Sequence, residues 1–150
     1  MKNWMQQGVK QTVMSGLLVS SLALAGLVNA EEIKQTWQGK TLNANLEMAD
    51  GKNFSDEFVL LLHGTLTHKG RSTYMVLQQN LAEQGISSLS INLSLGLNDR
   101  QGEYDCAVPH THKHTDALNE IGVWLDWLEQ QGANNVPLMG HSRGGNQIAW

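Results

Sequence analysis

The sequence has very little cysteine and no excess of positive charge. It contains one cysteine, Cys106, which excludes a disulfide framework within the 150 residues and leaves a free thiol or a partner elsewhere. It also lacks an excess of positive charge, since the net charge is −4, or −6 without the two lysines of residues 1–30. We therefore expect neither nucleic acid nor an anionic membrane surface as a partner.

The first 30 residues have the composition of a secretory signal peptide. Lys2 and Lys10 give a positively charged start, and Val28-Asn29-Ala30 offers small residues at a cleavage site. Between them, residues 13–28 form an uncharged segment of 16 residues, which is shorter than the roughly 20 that a membrane-spanning helix needs. We predict a cleaved signal rather than a retained anchor, export to the periplasm or beyond, no membrane span after cleavage, and a mature domain over residues 31–150.

Apolar periodicity divides the mature region into strands and helices. Residues 36–48 alternate loosely, which predicts an outer, half-exposed strand or hairpin. The continuous apolar run of residues 58–62 is typical of a strand buried on both faces of a parallel sheet, and residues 136–139 form another short apolar run. Residues 86–92 return as a strand through Leu89 and Ile91, and segments with helical spacing separate the strands. The predicted strands are residues 58–62, 86–92 and 136–139, and the predicted helices are residues 72–84 and 115–131.

The ends and faces of the two helices can also be predicted. Ser72 can cap the first helix and Gly85 can end it. The second helix has a stripe of Leu118, Ile121, Leu125 and Leu128, with the acidic residues Glu120, Asp126 and Glu129 on its surface, and we expect its tryptophans 124 and 127 to pack on the sheet. The order β-α-β-α-β predicts an α/β fold with a mostly parallel sheet flanked by helices.

The strongest motif in the sequence is Gly140-His141-Ser142-Arg143-Gly144, which has the form G-x-S-x-G. An apolar strand leads into it and a helix is expected to follow, as in the strand–turn–helix of a nucleophile elbow. Such a turn exposes the serine hydroxyl, and Gly140 and Gly144 avoid clashes with neighbouring backbone. Ser142 is thus predicted to be a nucleophile, and it needs a base to accept its proton.

A second motif, His63-Gly64-Thr65, ends the first buried strand. A tetrahedral intermediate needs two N–H donors for its oxyanion, and we assign them to the backbone amides of Thr65 and Arg143. His63 precedes the nucleophile, so we interpret it as a residue that fixes the loop by hydrogen bonds and not as the general base.

Together these two motifs resemble the α/β-hydrolase superfamily, in particular its exported, esterase-like or lipase-like bacterial members, over residues 56–150. The resemblance implies a Ser-Asp/Glu-His triad in that chain order, but no Asp, Glu or His follows Ser142. We expect the 150 residues to be the N-terminal part of a hydrolase truncated after the nucleophile elbow, with acid and histidine beyond residue 150, or an inactive remnant. The chain alone is predicted to be inactive. The family's Asp-x-Arg-Gly is also missing from residues 92–96, and Asn98-Asp99-Arg100 comes later.

A long irregular segment, residues 93–111, precedes the second predicted helix. Three histidines occupy alternate positions where the two meet: His110, His112 and His114. Alternate residues of an extended chain are roughly 6.5–7 Å apart, and the spacing matches no closed zinc pattern. We therefore favour a polar loop near the site over a metal centre, with one histidine orienting substrate or capping the helix.

The predicted function is that of a serine hydrolase acting on small-molecule or lipid esters, or on related acyl bonds, without a metal or other cofactor. A non-catalytic envelope binding protein that uses the same fold is the alternative, and a peptidase of the same fold differs only in its pocket.

Overall fold

A computed structural model describes residues 30–150 of the chain. The predicted signal peptide lies outside these residues, apart from Ala30. In chain order the elements are β1 (Glu31–Trp37), β2 (Lys40–Glu47), β3 (Phe58–Leu62), α1 (Ser72–Glu83), β4 (Ser87–Asn92), α2 (His114–Gln131), β5 (Leu138–Gly140) and α3 (Arg143–Ile148). None of the helices in the described part of the chain has both the length and the apolar character needed to cross a membrane.

The five strands form one mixed sheet in the order β1-β2-β4-β3-β5. Strand β3 lies between β4 and β5 and is parallel to both, whereas β2 runs antiparallel to β1 and to β4. The predicted α/β class is confirmed, with parallel pairing confined to the three strands that alternate with helices. Because parallel strands end at the same edge of a sheet, β3 and β5 bring the residues after Leu62 and after Gly140 together.

The prediction of an outer, half-exposed strand or hairpin at residues 36–48 is correct about the hairpin and wrong about the exposure of its second strand. The chain forms a hairpin there, and β1 is its exposed outer strand, whereas β2 is covered and buries Leu42, Ala44 and Leu46. Pairing of β2 with β4 on one side and β1 on the other removes it from the sheet edge. The alternation of apolar and polar residues within β2 does not predict that β4 pairs with its other edge.

Helix α1 begins one residue away from the predicted cap. Arg71 is the N-cap in an extended conformation, and no side chain caps the helix, so the assignment of Ser72 as a cap is wrong. The prediction that Gly85 ends α1 is confirmed, because Gly85 has φ +79°, the left-handed conformation that favours glycine. Gly132 follows α2 in the same conformation, with φ +104°.

The core lies between the sheet and α2. Trp124 is fully buried, and Trp127 packs edge-on against Phe54 with ring centroids 5.7 Å apart, which confirms that both tryptophans serve packing. The buried face of α2 consists of Ala117, Glu120, Ile121, Trp124 and Leu128. The prediction that Glu120 lies on the surface is therefore wrong, because its side chain finds polar partners inside the protein.

Strand β5 was expected to be buried on both faces, and this prediction is also wrong. Leu138 is half-buried and Met139 is 44% exposed. Within the described residues β5 pairs only with β3 and forms one edge of the sheet.

Candidate functional site

Ser142 occupies a sharp turn between β5 and α3. Its backbone has φ +55° and ψ −122°, a conformation that costs a non-glycine residue on the order of 1–3 kcal/mol. The turn is held by hydrogen bonds from the Gly144 amide to the His141 carbonyl, 2.9 Å, and from the Gly145 amide to the Ser142 carbonyl, 3.0 Å. Backbone strain of this kind is found where a side chain must be presented in one direction.

Gly140 and Gly144 leave no space for a side chain. A Cβ atom on Gly140 would overlap the backbone of Gly144 and Gly145, and a Cβ on Gly144 would lie 2.5 Å from the His63 carbonyl oxygen. These two glycines therefore allow α3 to pack directly against the end of β3. The packing places Ser142 beside the loop that contains Gly64.

Gly64 touches the Ser142 turn. A Cβ added to Gly64 would lie 3.2 Å from Ser142 Cβ and 3.2 Å from His141 Nδ1. The Gly64 amide already donates to Tyr74 Oη at 3.0 Å, and Tyr74 Oη is 3.1 Å from His141 Nδ1. These bonds tie the loop after β3 to the helix α1 and to the residue before Ser142.

The two amides predicted as oxyanion donors are not used elsewhere in the backbone. Within residues 30–150 the Thr65 amide donates no backbone hydrogen bond. Arg143 is the first residue of α3, a position at which an N–H has no partner in its own helix. Thr65 and Ser142 line the same pocket.

His63 has a structural role, as predicted. Its Nε2 accepts from the Leu93 amide at 3.0 Å and lies 3.0 Å from Arg100 Nη2, while Nδ1 is 2.8 Å from the Gly64 carbonyl oxygen. These partners require a proton on Nδ1 and none on Nε2. Burial lowers the pKa of His63 to about 4, and the charge of Arg100 acts in the same direction. His63 is thus neutral at pH 7, with both ring nitrogens occupied.

Arg100, which contacts His63, was not predicted from the sequence as a structural residue. It is buried, and besides His63 it donates to the Leu93 carbonyl at 2.8 Å and to Asn92 Oδ1 at 2.8 Å. Burial lowers the pKa of Arg100 to about 10, so it remains charged at neutral pH. Arg100 therefore brings a guanidinium to the end of β4 from further along the loop. The motif Asn98-Asp99-Arg100 was the available signal, although its return to the end of β4 depends on loop geometry.

A pocket of about 280 Å³ opens beside Ser142. Its lining is mostly polar and includes Thr65, Thr67, Arg71, Thr73 and Glu103. Arg71 Nε donates to Glu103 Oε1 at 2.5 Å. Burial favours the neutral acid, but the hydrogen bond and charge of Arg71 keep the pKa of Glu103 below its usual value, so the wall contains an ion pair at neutral pH.

The three histidines at positions 110, 112 and 114 have different main partners, and the rings of His110 and His112 also lie edge-on with centroids 6.2 Å apart. His112 is buried, and its Nε2 lies 3.2 Å from Glu120 Oε1, while the other Glu120 oxygen accepts from the Ser94 amide at 2.7 Å. The ring of His110 packs edge-on against Tyr104, and that of His114 against Trp150. Within residues 30–150 no three His, Cys, Asp or Glu side chains form a cluster that could hold a metal ion. Cys106 is exposed and has no disulfide partner there.

No protein-family model matches this sequence, and no curated protein matches it. Solved structures do match the fold. A cold-adapted esterase from an Arctic intertidal metagenomic library is 21% identical, with a TM-score of 0.63 over 79% of this chain and 52% of its own. An alpha-beta serine hydrolase homologue from Coxiella burnetii is 20% identical, with a TM-score of 0.59 over 79% of this chain and 55% of its own. Dienelactone hydrolase from Anabaena variabilis is 22% identical, with a TM-score of 0.60 and the same two coverages.

The chain therefore has the α/β-hydrolase fold. It spans about half the length of the solved structures that it matches. Because fold alone does not assign function, the chemistry has to be argued from Ser142 and its surroundings.

Proposed function

We propose that this chain carries the nucleophile and the oxyanion hole of a serine hydrolase that cleaves esters or related acyl bonds. The observation that carries the proposal is the strained conformation of Ser142, φ +55°, in a glycine-packed turn that lies against Gly64. It is supported by the structurally similar proteins, which are an esterase, a serine hydrolase homologue and a dienelactone hydrolase.

In the proposed reaction Ser142 Oγ attacks the carbonyl carbon of the substrate, and a general base takes the hydroxyl proton. The carbonyl oxygen becomes an oxyanion, which accepts hydrogen bonds from the Thr65 and Arg143 amides. Collapse of this intermediate expels the alcohol, which takes the proton from the base. Water then hydrolyses the acyl-enzyme by the same two steps and frees Ser142.

The general base is not His63, because both of its ring nitrogens have partners and its pKa of about 4 reflects a buried neutral ring. No Asp, Glu or His follows Ser142 in the sequence. We therefore place the histidine base and its carboxylate partner beyond residue 150, in the order Ser, acid, His.

Reaction with a fluorophosphonate probe tests the nucleophile. We expect the complete natural protein to be labelled on Ser142, and Ser142→Ala to abolish the labelling. A protein that hydrolyses esters but is labelled elsewhere would refute the assignment. A folded, complete protein that the probe does not label would instead favour the non-catalytic binding function.

Side-chain removal at the oxyanion positions tests the donors. Thr65→Ala and Arg143→Ala keep both amides, so we expect kcat to stay within about tenfold of the unaltered protein. Loss of one oxyanion donor typically costs about 10²–10³ in kcat. A loss of that size in either variant would show that a side chain is the donor, contrary to the proposal.

We further propose that the protein is exported and acts in the bacterial cell envelope, because residues 1–30 have the order of a signal peptide. N-terminal sequencing of the natural protein is expected to begin at Glu31. A mature N-terminus at Met1 would contradict cleavage. The substrates expected there are small-molecule or lipid esters.

A further inference from the structure

The pocket beside Ser142 has a charged wall that the proposed catalytic steps do not use. Arg71 and Glu103 form this wall, and Thr67 Oγ1 also donates to Glu103 Oε1, at 3.3 Å. The same oxygen of Glu103, Oε1, therefore accepts both hydrogen bonds. They fix the carboxylate and, through it, the Nε edge of the arginine.

The remaining donors of Arg71 are free. Its two Nη atoms donate no hydrogen bond within the described residues, where only Nε does, and the arginine side chain is 58% exposed. A guanidinium has five N–H donors in a planar fork, and its Nη pair matches the two oxygens of a carboxylate. Because Glu103 holds one edge, the free end of the fork loses less conformational freedom when it binds a ligand.

The charges near this wall are mostly positive. Burial lowers the pKa of His68, and the positive charges of Arg100, Arg71 and Lys69 lower it further, against the single opposing carboxylate of Glu103. Lys69 is itself paired with Glu32 at 2.9 Å. Helix α1, which starts directly after Arg71, has no acidic side chain in its first turn. The nearest acid to an anion bound at the Arg71 Nη atoms would be Glu103, which lies at the other edge of the same guanidinium, and Arg100 adds a further positive charge nearby.

We propose that Arg71 is a specificity residue that binds a carboxylate carried by the ester substrate, and this proposal rests on the proposed hydrolase function. The pocket volume of about 280 Å³ lies just below the roughly 300–1,000 Å³ typical of small-molecule sites. The favoured substrates are therefore short esters with an anionic end, such as monoesters of small dicarboxylic acids. Ser142 attacks the ester carbonyl while Arg71 holds the distant carboxylate.

A matched pair of esters tests the proposal in the complete natural protein. Monomethyl succinate carries the carboxylate, and methyl succinamate replaces it with a neutral amide of similar size, so methanol release can be compared directly. We expect kcat/KM to be about 10-fold or more higher for the charged ester, because only that ester presents a charged acceptor to the guanidinium.

Three variants identify the residue responsible. Arg71→Gln should abolish the preference by raising KM for monomethyl succinate about 10-fold, with kcat and the neutral ester unchanged within about twofold. Arg71→Lys keeps the charge without the fork and should retain part of the preference. Lys40→Gln removes one positive charge elsewhere and should leave the preference intact. Equal use of both esters, or an equal effect of Arg71→Gln on both, would overturn the proposal.

A binding measurement separates this proposal from the hydrolase function itself. Free succinate should slow fluorophosphonate labelling of Ser142 in the unaltered protein but not in Arg71→Gln, and succinamide should protect neither. Labelling of Ser142 without protection by succinate would overturn the role of Arg71 and leave the hydrolase function standing. Absence of labelling in a folded, complete protein would refute the hydrolase function and this inference with it.

Discussion

Replacing Gly144 with alanine tests the packing that places Ser142 beside the loop after β3. The new Cβ would lie 2.5 Å from the His63 carbonyl oxygen and 2.8 Å from that of Leu62. Comfortable contacts of a carbon atom are about 3.5–4.0 Å, so α3 or the end of β3 must move by on the order of 1 Å. Overpacking of this kind costs about 1–3 kcal/mol.

The higher helix propensity of alanine opposes the destabilisation caused by this clash, and the two effects must be measured separately. Alanine is favoured over glycine within a helix by about 1 kcal/mol, which stabilises any Gly→Ala variant in α2 or α3. Gly122 lies within α2, and a Cβ added there would meet nothing within 4 Å, so Gly122→Ala measures this gain without a clash. We expect the free energy of unfolding of Gly144→Ala to be about 1–3 kcal/mol below that of Gly122→Ala.

Urea-induced unfolding followed by circular dichroism measures both variants in the complete natural protein. Gly144→Ala should also slow the labelling of Ser142, because the movement separates the turn from Thr65. If Gly144→Ala and Gly122→Ala had the same stability within about 0.5 kcal/mol, α3 would not pack against β3 as described.

Further predictions concern the groups that support the site. The pKa of His63 is about 4 in the folded protein, below the 6.5 of an unfolded chain, so unfolding takes up a proton as the pH falls. The free energy of unfolding should therefore drop by about 3 kcal/mol between pH 6.5 and 4, as measured by urea unfolding, and a flat profile in this range would contradict a buried neutral ring. Glu120→Leu leaves His112 and the Ser94 amide without their buried partner and should cost about 1–3 kcal/mol, whereas Glu129→Leu on the exposed side should change stability by less than about 0.5 kcal/mol; equal effects would refute the buried role. Ser142→Gly relieves the positive φ and should unfold with a free energy about 1–3 kcal/mol higher than Ser142→Ala, and equal stabilities would argue against backbone strain.

Most elements could be predicted from local sequence patterns. Strand β3 has the predicted bounds, and β4, α1 and α2 begin or end within one residue of prediction. Local rules succeed here because β3 is a continuous apolar run, α1 and α2 have apolar residues at helical spacing, and glycines follow both long helices. The turn at Ser142 follows equally from its motif, since the glycines are required by steric contact.

The polar interior could not be predicted in this way. Glu120 occupies the stripe that also buries Ala117 and Trp124, and its charge made a surface position the natural assignment. It is accommodated inside because Ser94 and His112 approach from a separate segment. Arg100 likewise reaches His63 over 37 positions of the chain. The buried contacts made by Ser94 and Arg100 depend on the path of residues 93–111. That segment has neither helical nor strand periodicity, so its path cannot be predicted from the sequence pattern.

The most direct test of the central claim is a crystal structure of the complete natural protein after reaction with a phosphonate probe. The account predicts a covalent bond to Ser142 Oγ, with one phosphonyl oxygen about 2.7–3.1 Å from the amide nitrogens of both Thr65 and Arg143. A phosphonate attached to another residue, or an oxygen directed away from these two amides, would contradict it.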